Sequence, residues 1–331
     1  MNKIVPGSRE AHPDSMTPGS HLLRLCDGAL NEVILVAPFI KEVVLARLLN
    51  HLGAGVVVRC VTRWWPHEIA SGVSDVEIWH LLQQRGNSEL LLKQNLHAKY
   101  YRADTECFIG SANLTQTALG WKQPSNLELL VALPSSELSL AEFEKTVMAD
   151  AVSVDNDLYR LTKEAVSLLP VMPYLRDGAF WELPQQTGEP PTDTDIVIDL
   201  ASWSPTLRHP PDLYHVYQGR TDIVTRASFD AATADLAWMN IPPGLTEAAF
   251  RAFVAVMLLQ QPIIRKVDEF VATAQRFGAV RQFLRTLPCA RQPNFDPSQA
   301  WQTLMRWLLY FVPSRYEMFT PNHSEIFRRR T

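Results

Sequence analysis

Six side chains stand in three pairs, each two residues apart: His97 and Lys99, Ser111 and Asn113, Asn126 and Glu128. Between them they supply an imidazole that can attack phosphorus, and an ammonium and an amide that can hold phosphate oxygens. A hydroxyl, and a carboxylate that can orient the imidazole, complete a set suited to a phosphodiester. In a strand, side chains two apart share a face, so each pair would present both of its groups together. Leu96 to Arg102 alternates and carries aromatics, Cys107 to Ile109 is a short apolar run ending at Gly110, and Leu127 to Leu133 follows Asn126. All three read as strands, with Asp104-Thr105-Glu106 as the turn between the first two. Adjacent in a sheet, they would gather the six groups on one surface.

The same residues spell a longer pattern. His97 to Asp104 reads H-x-K-x4-D, and after five further residues comes Gly110-Ser111-Ala112-Asn113, or G-S-x-N. A lone H-x-K arises by chance in many proteins, whereas two coupled segments at this spacing are specific. Over roughly residues 20–150 the chain resembles the phospholipase D superfamily, which breaks and remakes phosphodiester bonds. The resemblance implies an α/β fold, a mixed sheet flanked by helices. It also implies attack by His97 to give a phosphohistidine, with no metal and no cofactor. Lys99 and Asn113 would hold the phosphate oxygens, Ser111 would add a hydroxyl, and Glu128 would bond the imidazole and set its tautomer. Asp104 completes the written signature but sits an odd number of residues from His97, near the turn. Tying that turn to the backbone competes with a catalytic place for it.

The signature occurs once, for no other histidine has a lysine two residues on. Members of the superfamily need two histidines facing one phosphate, one as nucleophile and one as acid. Those with a single signature resemble half-enzymes that meet across a two-fold axis, so a catalytic homodimer is expected.

At 331 residues the chain has length for two domains. A net charge of −4 excludes a protein that coats nucleic acid by bulk electrostatics. The four cysteines show no metal-ligand spacing and read as free thiols of a reducing compartment. Met1 to Ser20 is polar and lacks the apolar centre of a signal peptide, and Val33 to Ile40 is too short to span a bilayer. A cytoplasmic protein with no membrane association is expected.

The pattern divides the chain near residue 150. Residues 1–150 read as the catalytic domain: strands Glu32 to Phe39 and Gly55 to Arg63, a helix Lys41 to Leu52 between them, and strand Glu89 to Lys93. Ser74-Asp75-Val76-Glu77 reads as a capping box opening a helix through Leu82, and a helix starts near Ser136. Residues 151–331 read as a mainly helical C-terminal domain with a Pro/Thr-rich connection at 182–194. Asp155 to Leu169 is helical, Ile196 to Trp203 and Thr221 to Phe229 read as strands, and the pattern is helical from Leu245 onward, interrupted at Pro262. Asp296-Pro297-Ser298-Gln299 starts a helix whose Trp301, Leu304, Met305, Leu308 and Val312 form one buried stripe.

Arg63 and Trp64, after the second strand, are candidates for a phosphate contact and a base stack, although the tryptophans Trp64 and Trp65 suit core packing equally. Trp121 and Lys122 face the same choice, and Asn126 is a further candidate for binding substrate. Residues 276–331 carry nine arginines against three acids, a set of phosphate contacts or of internal ion pairs. The function expected is a metal-independent phosphodiesterase, specifically a nuclease of DNA or RNA, in defence against foreign nucleic acid and with a helicase or other defence protein as partner. A phospholipid phosphodiesterase or transphosphatidylase is the second reading, and a non-catalytic module of a larger assembly the third.

Overall fold

The computed structural model describes residues 17–170, 200–292, 295–321 and 325–330. The connection 182–194, residues 1–16 and the start of the segment Ile196 to Trp203 lie outside the described residues. Helix α1 (Pro18–Asp27) begins where the Thr17 hydroxyl accepts from the Ser20 N–H, with Pro18 at the first helical position. Strands β1 (Glu32–Val36) and β2 (Val57–Thr62) flank helix α2 (Glu42–Leu49), which turns Val44, Leu45, Leu48 and Leu49 inward. Helices α3 (Pro66–Ala70) and α4 (Ile78–Arg85) lead to β3 (Ser88–Leu92). Three antiparallel strands follow, β4 (Tyr100–Ala103), β5 (Glu106–Gly110) and β6 (Leu130–Pro134). Helix α5 (Leu138–Met148) and the short β7 (Val152–Ser153) close this half.

The seven strands form one sheet in the order β6-β5-β4-β1-β2-β3-β7. β1, β2 and β3 are parallel, and β4, β5, β6 and β7 pair antiparallel with their neighbours. Alternation along β1 sends Val33 and Leu35 into the core shared with α1, α2 and α4, and Ile34 and Val36 into a second core under α5. The sheet is therefore mixed and flanked by helices on both faces, the α/β arrangement expected from sequence.

In the second half, α6 (Asn156–Leu168) is capped by Asp155, which accepts from the Leu158 N–H at 2.9 Å. Helices α7 (Asp212–Tyr217), α8 (Arg226–Leu236), α9 (Glu247–Leu259), α10 (Pro262–Phe270), α11 (Phe277–Leu284) and α12 (Pro297–Phe311) follow. The α9–α10 pair bends by 78° at Pro262. Asp296 caps α12 through the N–H groups of Ser298 and Gln299, and the stripe from Trp301 to Val312 is buried. The larger core runs without a break from the sheet into α9 and α12. Among the described residues no single helix is long and apolar enough to cross a membrane.

Three expectations fail locally. The stretch Thr221 to Phe229 is helical, because Thr225 caps α8 by accepting from the Ser228 N–H. The chain is not helical to its end: β9 (Tyr316–Phe319) and β10 (Ile326–Arg329) pair with β8 (Gln275–Arg276) in a small sheet of order β8-β10-β9. Ser74 caps no helix, since its hydroxyl bonds the N–H and the carbonyl of Ile40, each at 3.3 Å, and α4 starts only at Ile78.

Candidate active site

Register determines where the chemistry gathers. β1, β2 and β3 run parallel and end at one edge of the sheet, and the antiparallel pairings Val36–Tyr100, Tyr100–Ile109 and Gly110–Leu130 bring three more strand ends there. Ligands of open α/β sheets collect at such an edge. His97 and Lys99 precede β4, Ser111 and Asn113 follow β5, Asn126 and Glu128 precede β6, and Arg63 follows β2. The three pairs thus lie at the same end of the sheet, on the loops at the strand ends. The β4 ladder begins only at Tyr100, opposite Val36, where its partner β1 ends.

Close backbone contacts fix those loops. A Cβ at Gly110 would lie 1.9 Å from the Leu129 carbonyl oxygen, so the glycine of the G-S-x-N segment is what lets the chain before β6 approach. The Ser111 N–H donates to that carbonyl at 3.0 Å, and the Leu129 N–H donates to the Ser111 hydroxyl at 3.1 Å. Beyond Asn113, Leu114 exchanges hydrogen bonds of 3.1 and 2.9 Å with Phe39 and Lys41 of the loop after β1. The buried Tyr101 hydroxyl donates to the Ala112 carbonyl at 2.5 Å, holding the residue between Ser111 and Asn113 from beneath.

The Glu128 carboxylate accepts from the Ser111 hydroxyl and, at 3.0 Å, from the Asn126 amide. The Lys99 ammonium donates to the His97 carbonyl at 2.7 Å. His97 itself is exposed. The Lys99 charge first, then partial burial and the Arg63 charge, hold its imidazole below the usual histidine range. Burial and Arg63 likewise lower the Lys99 ammonium, against the pull of Glu128. The Asn113 side-chain carbonyl oxygen is buried without a protein partner. Asn113 lines an open cavity of about 1010 Å³ together with Glu128, Asn126, Lys122, Gln116 and Thr115. The same end of the sheet thus carries an exposed imidazole, an ammonium and a hydroxyl–carboxylate pair, with Asn113, Asn126 and Glu128 lining the recess.

Other candidates lie elsewhere or are already engaged. Asp104 occupies the turn at the opposite edge of the sheet with a positive φ of 47°, and accepts from the N–H groups of Leu30, Asn31 and Glu32 at 2.7–3.0 Å. Those bonds, led by that of Leu30, hold its carboxyl below the usual range, and its place is structural. Arg63 is committed to Glu68 and, at 3.1 Å, to the Leu96 carbonyl, so it braces the His97 loop and leaves no fork for a phosphate. Trp64 is fully buried and packs the core; no face is open to a base. Trp121 is half-buried with the Arg47 guanidinium 4.1 Å from its ring centre, whereas Lys122 stays exposed at the cavity. Of the terminal arginines, Arg328 and Arg330 pair with Glu317 and Arg329 with Asp268, the internal ion pairs that were the alternative to phosphate contacts. Sequence reading passed over Glu68 and Tyr101, which act by holding neighbours; only the Arg63-x4-Glu68 spacing hints at the first. All four cysteines are free and buried.

No family model and no curated protein matches the sequence. Among solved structures the chain is similar to NucT from Helicobacter pylori, at 14% identity and a TM-score of 0.34, over 41% of this chain and 91% of that one. It is similar to Nuc from Salmonella typhimurium, a phospholipase D family member, at 19% identity and a TM-score of 0.34, over 41% and 90%. For phosphatidylserine synthase from Haemophilus influenzae the figures are 12%, 0.32, 41% and 36%. A mixed sheet flanked by helices carries the signature segments of the first half of the chain.

Proposed function

We propose that this protein is a metal-independent nuclease that cleaves phosphodiesters through a phosphohistidine, in an active site completed by a second copy of the chain. The observation that carries the reading is the exposed imidazole of His97 at the same end of the sheet as Lys99, Ser111, Asn113 and Glu128. An imidazole nitrogen of His97 attacks phosphorus while the bond to the leaving oxygen breaks, and the partner subunit's His97 gives that oxygen its proton. Water then loses a proton to the same imidazole, attacks phosphorus and frees His97. Lys99 and the Asn113 amide carry the charge on the phosphate oxygens.

A second copy is needed because one chain brings one such histidine. The edge strand β6 and the segment before it, next to Glu128, expose Leu127, Leu129 and Val131 at 102%, 65% and 42%, an apolar stripe that suits an isologous contact. Nucleic acid is the substrate proposed because Thr115, Gln116, Thr117, Ser125 and Lys122 offer the cavity polar groups and a cation for a phosphate backbone. Destruction of foreign DNA, with a helicase or other defence protein delivering the strand, is the biological role that this activity fits.

Excess EDTA is expected to leave cleavage unchanged, because Lys99 and Asn113 hold charge where other nucleases use metal ions. Purified protein incubated in EDTA with plasmid, single-stranded DNA, RNA and phosphatidylcholine vesicles should cut nucleic acid and spare the lipid. Strict dependence on added magnesium, or release of choline headgroup alone, would contradict the reading.

A further inference from the structure

We propose that Gln94, Gln260 and Gln261 form a clasp through which the helical second half positions His97. For its catalytic consequence the proposal rests on the phosphodiesterase reading; the clasp itself does not depend on it.

The bend at Pro262 leaves two consecutive glutamines at the corner, Gln260 ending α9 and Gln261 starting α10. They are 3% and 0% exposed, and each reaches a different loop of the catalytic half. Gln260 donates to the Trp64 carbonyl at 2.9 Å, in the loop after β2. Gln261 donates to the Gln94 side-chain oxygen at 2.6 Å, in the loop after β3, and Gln94 donates in turn to the Met257 carbonyl of α9 at 3.1 Å. A side-chain oxygen of each corner glutamine and the Trp64 indole N–H are buried without partners, so the clasp forgoes polar contacts to keep this geometry.

Those two loops are joined beside the active site. Trp65 donates to the Gln94 carbonyl at 3.0 Å, and Arg63, held by Glu68, donates to the carbonyl of Leu96, the residue before His97. His67 adds an apolar contact: it stacks on Phe253 of α9, and burial, with the Arg63 charge, holds its pKa to about 4. The corner of α9 and α10 is thus connected to His97 through short links: Gln260 to the Trp64 loop, Gln261 to Gln94, and both loops to residues 94–96. The charged groups acting on His97 are Lys99 and Arg63, and the clasp holds the backbone on either side of Arg63's contact. Gln94, Gln260 and Gln261 are positioning residues; none touches the recess.

The test pairs a His97 titration with kinetics. The variants are Gln94→Leu with Gln261→Leu, which exchanges an amide pair for an apolar pair of similar shape, and the milder Gln260→Met. The His97 resonance is assigned in histidine-labelled full-length protein by its loss in His97→Ala. In folded variants its midpoint is expected to rise by about half a unit as Arg63 loosens. Turnover of bis(p-nitrophenyl) phosphate should fall about tenfold in kcat with a smaller change in KM, since Asn113 stands outside the clasp while Lys99 moves with the His97 loop. A shifted midpoint in a protein whose wild type cleaves no diester supports the clasp and defeats the catalytic reading. Folded variants of both kinds with wild-type midpoint and wild-type kcat would overturn the clasp.

Discussion

Replacing His97 by alanine is expected to lower diester cleavage by about 10⁴-fold or more, because in a shared site one substitution removes the nucleophile of one subunit and the acid of the other. Folding should be untouched. The side chain is exposed, and its backbone is held by the Lys99 ammonium on its own carbonyl and by Arg63 on the carbonyl before it. Single-turnover cleavage of a labelled strand, with circular dichroism as the control, measures both. Residual activity of a few per cent would mean that the imidazole neither attacks phosphorus nor moves the proton.

The largest loss of stability is expected at Arg315, far from the chemistry. Its guanidinium is 4% exposed and donates to Asp268 at 2.8 and 2.7 Å, to Asp155 at 2.6 Å and to Asp157 at 2.9 Å. Tyr316 and Arg329 complete the Asp268 cluster, at 2.8 and 3.1 Å. This network ties the start of α6 and the body of α10 to the small C-terminal sheet. Arg315→Ala removes the main partner of the buried Asp268, leaving it only Tyr316 and Arg329, and should cost about 3 kcal/mol. Burial alone would raise Asp155 and Asp268, but the hydrogen bonds and charge of Arg315 hold both below the usual aspartate range. Carboxyls depressed in the folded state stabilise it above their unfolded pKa and lose that contribution as pH falls through the folded value. The difference in urea midpoint between wild type and Arg315→Ala should therefore be full at neutral pH and shrink on acidification below about pH 4. A difference under about 1 kcal/mol at neutral pH would show that the network adds little.

Sequence legibility followed the range of the interactions involved. β1, β2 and α2 were readable because apolar periodicity is local and each buries its own face. The candidate pairs stand out by residue type and spacing, yet what brings them to one end of the sheet is register: Val36 opposite Tyr100 and Gly110 opposite Leu130 are long-range pairings with no local signal. The small C-terminal sheet was missed for the same reason, since four residues at 316–319 and 326–329 are too few to show a period, and their third partner is Gln275–Arg276. The terminal arginines looked free because their acids, Glu317 and Asp268, are brought to them only by that sheet. Ser74 carried a genuine capping pattern, but the Ile40 backbone took its hydroxyl. Trp64 and Arg63 lie in the loop after β2, where Gln260 holds the Trp64 carbonyl and Glu68 the Arg63 guanidinium; the first partner is too distant in sequence for a local pattern to show.

Subunit mixing tests most directly the claim that two copies of His97 share one phosphate. Wild-type protein is mixed with increasing His97→Ala, exchange is verified with tagged chains, and cleavage of one strand is followed in EDTA. A heterodimer holds one histidine and should be inactive, so with threefold excess mutant the activity per wild-type chain should fall to about a quarter. Activity per wild-type chain that stays constant despite complete exchange would mean that each chain is sufficient alone, and the shared-site mechanism would be wrong.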